Sequence, residues 1–279
     1  MLKNTFCHAP GIGPHLESRL WSRGFLSWGT VLERCPRGLT PSVRSSLLAH
    51  LRKSVDELDG ENASFFEGCL PPNEQWRMFP DFRRRAGYLD IETTGLRPEF
   101  STITTIALYD GRRVRTYVWG RNLDDFVDDV RKYKLLITYN GKCFDIPFIE
   151  KFFDIKLTAA HIDLRYVLRS LGYTGGLKRC EKKLGINRGA LDGVDGYFAV
   201  LLWADFVDSG NERALETLLA YNTEDVVNLE TLMVIAYNLK IKGTPFALSH
   251  AFGLPSPPSL PFQADRDTIE RIRRKYFSP

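Results

Sequence analysis

Gly87-Tyr88-Leu89-Asp90-Ile91-Glu92-Thr93-Thr94-Gly95-Leu96 is the stretch on which the reading of this chain turns. Its side chains alternate with the two-residue period of a strand, so Asp90 and Glu92 leave one face while Leu89 and Ile91 point to the other. Two carboxylates that close repel and raise each other's pKa unless a cation sits between them, so the pair makes sense as half of a metal site. A solvated strand face accounts for this fragment alone equally well.

The texture of the chain changes at this stretch. Upstream of about residue 85, helical runs over Leu16 to Ser22, Trp28 to Arg34 and Pro41 to Asp56 are broken by Pro and Gly, with a turn at Pro71-Pro72 and no strand pattern. Downstream, ITTIALYD and VRTYVWG predict two more strands, joined through turns at Thr94-Gly95 and Asp110-Gly111 into a three-stranded meander. A helical stretch near Asn122 to Lys132 follows, then an apolar strand KLLITY, a helix from Ile146, and mostly helix from about Leu164 to Lys240. Strands first and helices after them predict an α/β fold, a mixed central sheet flanked by helices. The expected organisation is a small helical N-terminal unit over residues 1–84, the main domain over 85–240, and a Pro/Ser-rich extension over 241–279 whose end, DRDTIERIRRKYFSP, forms a short basic helix.

Composition sets the class. With 43% hydrophobic and 26% charged residues in 279, the chain can bury a substantial core and lacks the signature of disorder. A net charge of +4 permits a polyanionic partner without demanding one. The five cysteines are odd in number, widely spaced and without a CxxC pair, which argues against a disulfide framework or a zinc knuckle. No apolar run is long enough to span a membrane, and the start lacks a basic segment followed by an apolar one. The expectation is a soluble, cytoplasmic protein.

Further acids join the first pair. In LLITYNGKCFDIPFI, Asp145 follows a buried-type strand and the Asn140-Gly141 turn, just before a helix with Pro147 in its first turn. Helix capping explains an Asp there, and a ligand role can coexist with it. In ALETLLAYNTEDVVNLETLMVIAYNL, an apolar stripe runs through Leu215, Leu218, Leu219, Val226, Leu229, Met233 and Ala236. Tyr221 and Asp225, four apart, fall together at its margin, as the wall of a cleft or as a surface acid beside a packed Tyr. Acids on a first strand, after a later strand and on a late helix can converge at one end of a sheet, where four carboxylates need two divalent cations. Two such ions, about 4 Å apart, serve in-line phosphoryl displacement, with the Tyr221 phenol orienting water.

In these motifs the chain resembles a DEDDy-type exonuclease of the ribonuclease H-like superfamily, close to its YprB-type bacterial branch, over roughly Gly87 to Lys240. Asp90 and Glu92 match the first family motif, Asn140, Phe144 and Asp145 the second, and Tyr221 with Asp225 the third. The histidine subtype would place His where Ala220 stands. The resemblance implies a ribonuclease H-like fold and a 3′–5′ exonuclease acting on single-stranded DNA or RNA with a free 3′ end. It implies two divalent cations, Mg²⁺ or Mn²⁺, on Asp90, Glu92, Asp145 and Asp225, with Tyr221 positioning water. Thr93, Gly95 and Leu96 resemble the turn that cradles a terminal nucleotide, and GYTGGLKRCEKKLGI brings Gly176 and Lys178 near substrate.

Other features stay open. Gly11 and Gly13 resemble a helix-hairpin-helix turn whose backbone N–H groups meet phosphate, or form a packed αα-turn from which Pro14 removes a donor. Arg83, Arg84 and Arg85 are expected to keep a linker solvated rather than to meet phosphate. Asp163 is a reserve ligand should Asp145 prove only a cap, and His161 is expected to be packed rather than ligating. Two rival readings are a catalytically silent nucleic-acid-binding module and a structure-specific endonuclease on the same scaffold.

Overall fold

A computed structural model describes residues 1–191 and 193–277. The five strands are β1 (Ala86–Thr93), β2 (Ile103–Tyr109), β3 (Val114–Val118), β4 (Leu135–Thr138) and β5 (Ala160–Asp163), in spatial order β3-β2-β1-β4-β5. β1 pairs antiparallel with β2 and β2 with β3, whereas β1–β4 and β4–β5 are parallel. The meander and the mixed sheet match the expectation. β5 does not appear in the sequence pattern, because its Ala-His-Ile-Asp lacks the continuous apolar run that marks the equally short β4.

Each face of the sheet is covered. The 30-residue helix Glu212–Ile241, capped by Asn211, lays its buried stripe of Val226, Leu229, Met233 and Ala236 on the same core as Tyr88, Ala107 and Ile137. Fully burying one such side chain contributes about 1.5–3 kcal/mol. The opposite face carries Leu89, Ile91, Leu108 and Leu136 against Phe126, Phe148 and Ile149 from the helices Phe126–Val130 and Asp145–Phe153. The first core also takes in Phe6, Trp28, Leu47 and Phe66 from the first 85 residues, so those residues and the sheet share one hydrophobic cluster. A third cluster joins the start of the long helix to Gly196–Ser209 and to the C-terminal helix Arg266–Phe277 through Ile269 and Ile272. Among the described residues, no helix is long and apolar enough to cross a membrane.

Two local features set up a crevice at the end of β1. β4 pairs with β1 only at Ala86, Gly87 and Tyr88, so the two strands part before Asp90. The β1–β2 ladder slips between Glu92 and Thr93, a bulge of the kind that re-aims side chains beside a site. The turn after β4 is tightly packed: Asn140 adopts a left-handed φ of 68°, and a Cβ on Gly141 would lie 2.2 Å from Thr138 Oγ1.

Candidate active site

β1 directs Asp90 and Glu92 toward the long helix, and that helix returns Tyr221, Asn222 and Asp225. One oxygen from each of Asp90, Glu92 and Asp225 lies within 4.8 Å of the others. Oxygen ligands held about 2.0–2.6 Å from a hard cation sit within about 5 Å of each other, so this donor set fits a divalent ion by spacing and by chemistry. Asn222 fixes the geometry: its Nδ2 donates to Asp90 Oδ2 at 2.7 Å, and its Oδ1 accepts from the Thr105 hydroxyl at 3.1 Å.

Asp145 joins the group from the opposite face of the sheet. Where β4 has parted from β1, the Asp145 carboxylate accepts the Ile91 N–H at 3.2 Å, standing in for the strand that is no longer there. The capping explanation does not hold, since Phe144 is the N-cap and Asp145 is the first helical residue. The reserve ligand Asp163 is the residue that caps. Its carboxylate accepts the backbone N–H groups of Arg165 at 2.9 Å, Asn140 at 2.8 Å and Lys142 at 3.1 Å, fastening the loop that carries Asp145. His161 is packed as expected, bonded to the Thr138 hydroxyl.

The acids share a strained electrostatic setting. Burial, then the negative charge of Asp225, holds Asp90 and Glu92 well above the usual carboxylate range, and Asp145 adds to both. Burial pushes Asp145 up to about 7 against the pull of the Ile91 N–H. Asp225 is instead met by cations: Lys178 Nζ lies 2.7 Å and 3.0 Å from its two oxygens, and Arg188 reaches it with Nη2. Arg188 also grips Glu181 at 2.6 Å and 2.8 Å, while its buried Nη1 has no hydrogen-bond partner among the described residues. The Lys178 ammonium lies 3.8 Å over the Tyr221 ring, and burial with the three nearby carboxylates raises the Tyr221 phenol far above its ordinary value.

The remaining sequence candidates divide by neighbourhood. Thr93 closes the turn after β1 through its hydroxyl to the Gly95 carbonyl at 2.7 Å, and Leu96 stands exposed beyond it. Asn140 and Phe144 flank Asp145, and Gly176 caps the helix Leu177–Lys183 that carries Lys178. Gly11 and Gly13 belong elsewhere, in the turn before the helix Pro14–Ser22, where a Cβ at Gly11 would meet the Val43 methyls. Arg83 reaches Glu230 at 4.0 Å and lies over the Phe252 ring, and Arg85 reaches Glu61 at 3.7 Å. Sequence reasoning missed Asn222, Thr105 and Arg188. Asn222 had a faint signal, its place between Tyr221 and Asp225 on the sheet-facing side; Thr105 and Arg188 had none.

The mixed sheet gathers its acids where the central strands part. The family model described as the RNase H superfamily matches residues 87–237, more than half of the chain. The chain therefore belongs to the RNase H superfamily. No curated protein matches it. Among solved structures, it is similar to the family B DNA polymerase of the hyperthermophilic archaeon Pyrobaculum calidifontis, at 16% identity and a TM-score of 0.42, covering 56% of this chain and 24% of the polymerase. The chain thus spans about a quarter of that polymerase's length. NrnC of Brucella melitensis is similar at 19% identity and a TM-score of 0.41, covering 59% of this chain and 78% of NrnC. The same protein with bound Mg²⁺ gives 18% identity and a TM-score of 0.39, covering 63% of this chain and 93% of NrnC.

Proposed function

We propose that this chain is a metal-dependent 3′–5′ exonuclease of the DEDDy type, close to the YprB-type branch, that shortens single-stranded DNA or RNA. The observation that carries the reading is the convergence of Asp90, Glu92 and Asp225 on a superfamily fold, with Asp145 beside them on Ile91. These four carboxylates are the ligand set, and Mg²⁺ or Mn²⁺ is the ion type their oxygens suit. Two bound cations supply Lewis acidity and neutralise the charge that builds up in an in-line displacement at phosphorus.

The protein's own groups do the rest. Asn222 keeps the Asp90 carboxylate aimed into the crevice. The Tyr221 phenol, raised above its ordinary value by burial and by the neighbouring carboxylates, orients the attacking water by hydrogen bonding. Lys178 and Arg188 bring positive charge to the rim where a phosphodiester enters. Thr93, Gly95, Leu96, Asn140 and Phe144 are the contacts for the terminal nucleotide.

End-labelled single strands incubated with Mg²⁺ or Mn²⁺ test the proposal. A stepwise product ladder is expected, an Asp90→Ala, Glu92→Ala double variant should lose at least about a thousandfold in rate, and a circular strand should survive intact. Cleavage that persists in the double variant places the activity elsewhere, and cutting of the circle makes the enzyme an endonuclease.

A further inference from the structure

Next to Asn140, which it shares with the contacts assigned to the terminal nucleotide, lies a cleft of about 630 Å³ between the helix Leu164–Ser170 and the loop leading to Leu177. Arg165 and Arg169 line one side, and Tyr139, Tyr173 and Gly175 the other. No carboxylate is among its lining residues. Both arginines are exposed, and among the described residues neither forms an ion pair, in contrast to Lys178 and Arg188 next door. A concave surface with uncompensated guanidinium groups is a site for an anion.

Three details build the cleft. Arg165 and Arg169 stand four apart on one helix, so their stems emerge about 5–6 Å apart on the same face, close to the separation of successive phosphates in an extended strand. Arg165 also donates to the Asn140 side chain, which ties the cleft to the loop that carries Asp145. Across from them the chain needs glycine: Gly175 has φ +115°, and a Cβ there would lie 2.6 Å from the Arg179 side chain. The Tyr139 hydroxyl donates to the Gly175 carbonyl and so pins this wall. Three residues beyond Gly175, Lys178 is already on Asp225, so one short stretch of chain runs from the wall of the cleft to the acids.

We propose that this cleft holds the single-stranded stretch upstream of the reacting end, with Arg165 and Arg169 on consecutive phosphates and the half-buried Tyr173 ring stacked on an unpaired base. The proposal deepens the nuclease reading and takes its strand direction from it. Only an unpaired base offers its face to Tyr173, so the cleft selects single strands over duplex.

Binding is measured in EDTA, without turnover, by the fluorescence anisotropy of a labelled ten-nucleotide single strand over a salt series. Arg165→Glu with Arg169→Glu is expected to weaken binding at least about tenfold, and to make the slope of log K against log salt shallower by about 1.4, the value for two lost phosphate contacts. Tyr173→Ala is expected to weaken binding several-fold with the slope unchanged. Arg165→Gln with Arg169→Gln, which keeps both side chains polar and exposed, should give the same shallower slope should the charge reversal fail to fold. An unchanged slope in the folded glutamine variant overturns the cleft. The nuclease reading is tested separately. Wild-type protein that binds through the cleft but never cuts with Mg²⁺ or Mn²⁺ sinks the enzyme and leaves the cleft standing.

Discussion

Glu17 and Glu92 are both buried carboxylates, and their surroundings differ in kind. Glu17 accepts the Phe6 and Cys7 N–H groups at 2.6 Å and 3.0 Å and forms a two-pronged pair with Arg77 at 3.1 Å and 2.9 Å. Its charge is matched and its oxygens are satisfied, as a structural buried ion requires. Glu92 instead faces two more carboxylates, Asp90 and Asp225, with Asp145 close behind. Lys178 and Arg188 offset part of this charge at Asp225, and in the proposed reading bound cations offset the rest. The first acid stabilises the fold; the second group, in that reading, gives up stability for a metal site.

The two centres should therefore respond with opposite signs to the same chemical change. Glu17→Gln leaves Arg77 buried with one partner fewer and is expected to cost about 3 kcal/mol, a fall of roughly 6–12 °C in Tm by calorimetry. Glu92→Gln removes a repelling charge, and in EDTA it should raise Tm by roughly 2–4 °C, or about 1 kcal/mol. A loss of stability in the second variant would show that Glu92 is a satisfied structural acid like Glu17.

Glycine sharpens the same contrast. Alanine at Gly141 collides with the Thr138 hydroxyl, so Gly141→Ala should destabilise by about 1–3 kcal/mol and lower activity through the displaced Asp145 loop. Gly13 has nothing within 4 Å of a Cβ and an ordinary backbone, so Gly13→Ala should stay within about 0.5 kcal/mol in urea unfolding.

The smallest effect is a slope with pH. Carboxyls held above their ordinary values bind protons more tightly in the folded chain, so their contribution is present at low pH and is lost as pH rises through the folded value, about 7 for Asp145. Burial holds His8 and His161 down to about 3, so they give stability that falls away only below about pH 6.5. Between pH 6.5 and 8 the acids alone set the sign. In EDTA, Tm should fall by at least roughly 3 °C over that window, and Mg²⁺ should stabilise more at pH 8 than at pH 6.5.

The alternation at Asp90 and Glu92 and the stripe of the long helix were legible because a strand face and a helix face each impose a period. The two aspartates near helix starts cannot be told apart from local sequence. Asp145 and Asp163 present the same local pattern, an Asp where a helix begins, and only the parting of β4 from β1 decides which caps and which reaches Ile91. Asn222 and Arg188 act through partners more than a hundred and nearly forty residues away, respectively, so local pattern marks Asn222 only by its place between Tyr221 and Asp225 and does not mark Arg188.

Crystals soaked in Mn²⁺ and examined at the manganese absorption edge test the central claim most directly. Anomalous density enclosed by Asp90, Glu92, Asp225 and Asp145, with Lys178 moved off Asp225, is the predicted result. Saturating Mn²⁺ that leaves no density among these four carboxylates, with Lys178 still seated on Asp225, contradicts the account.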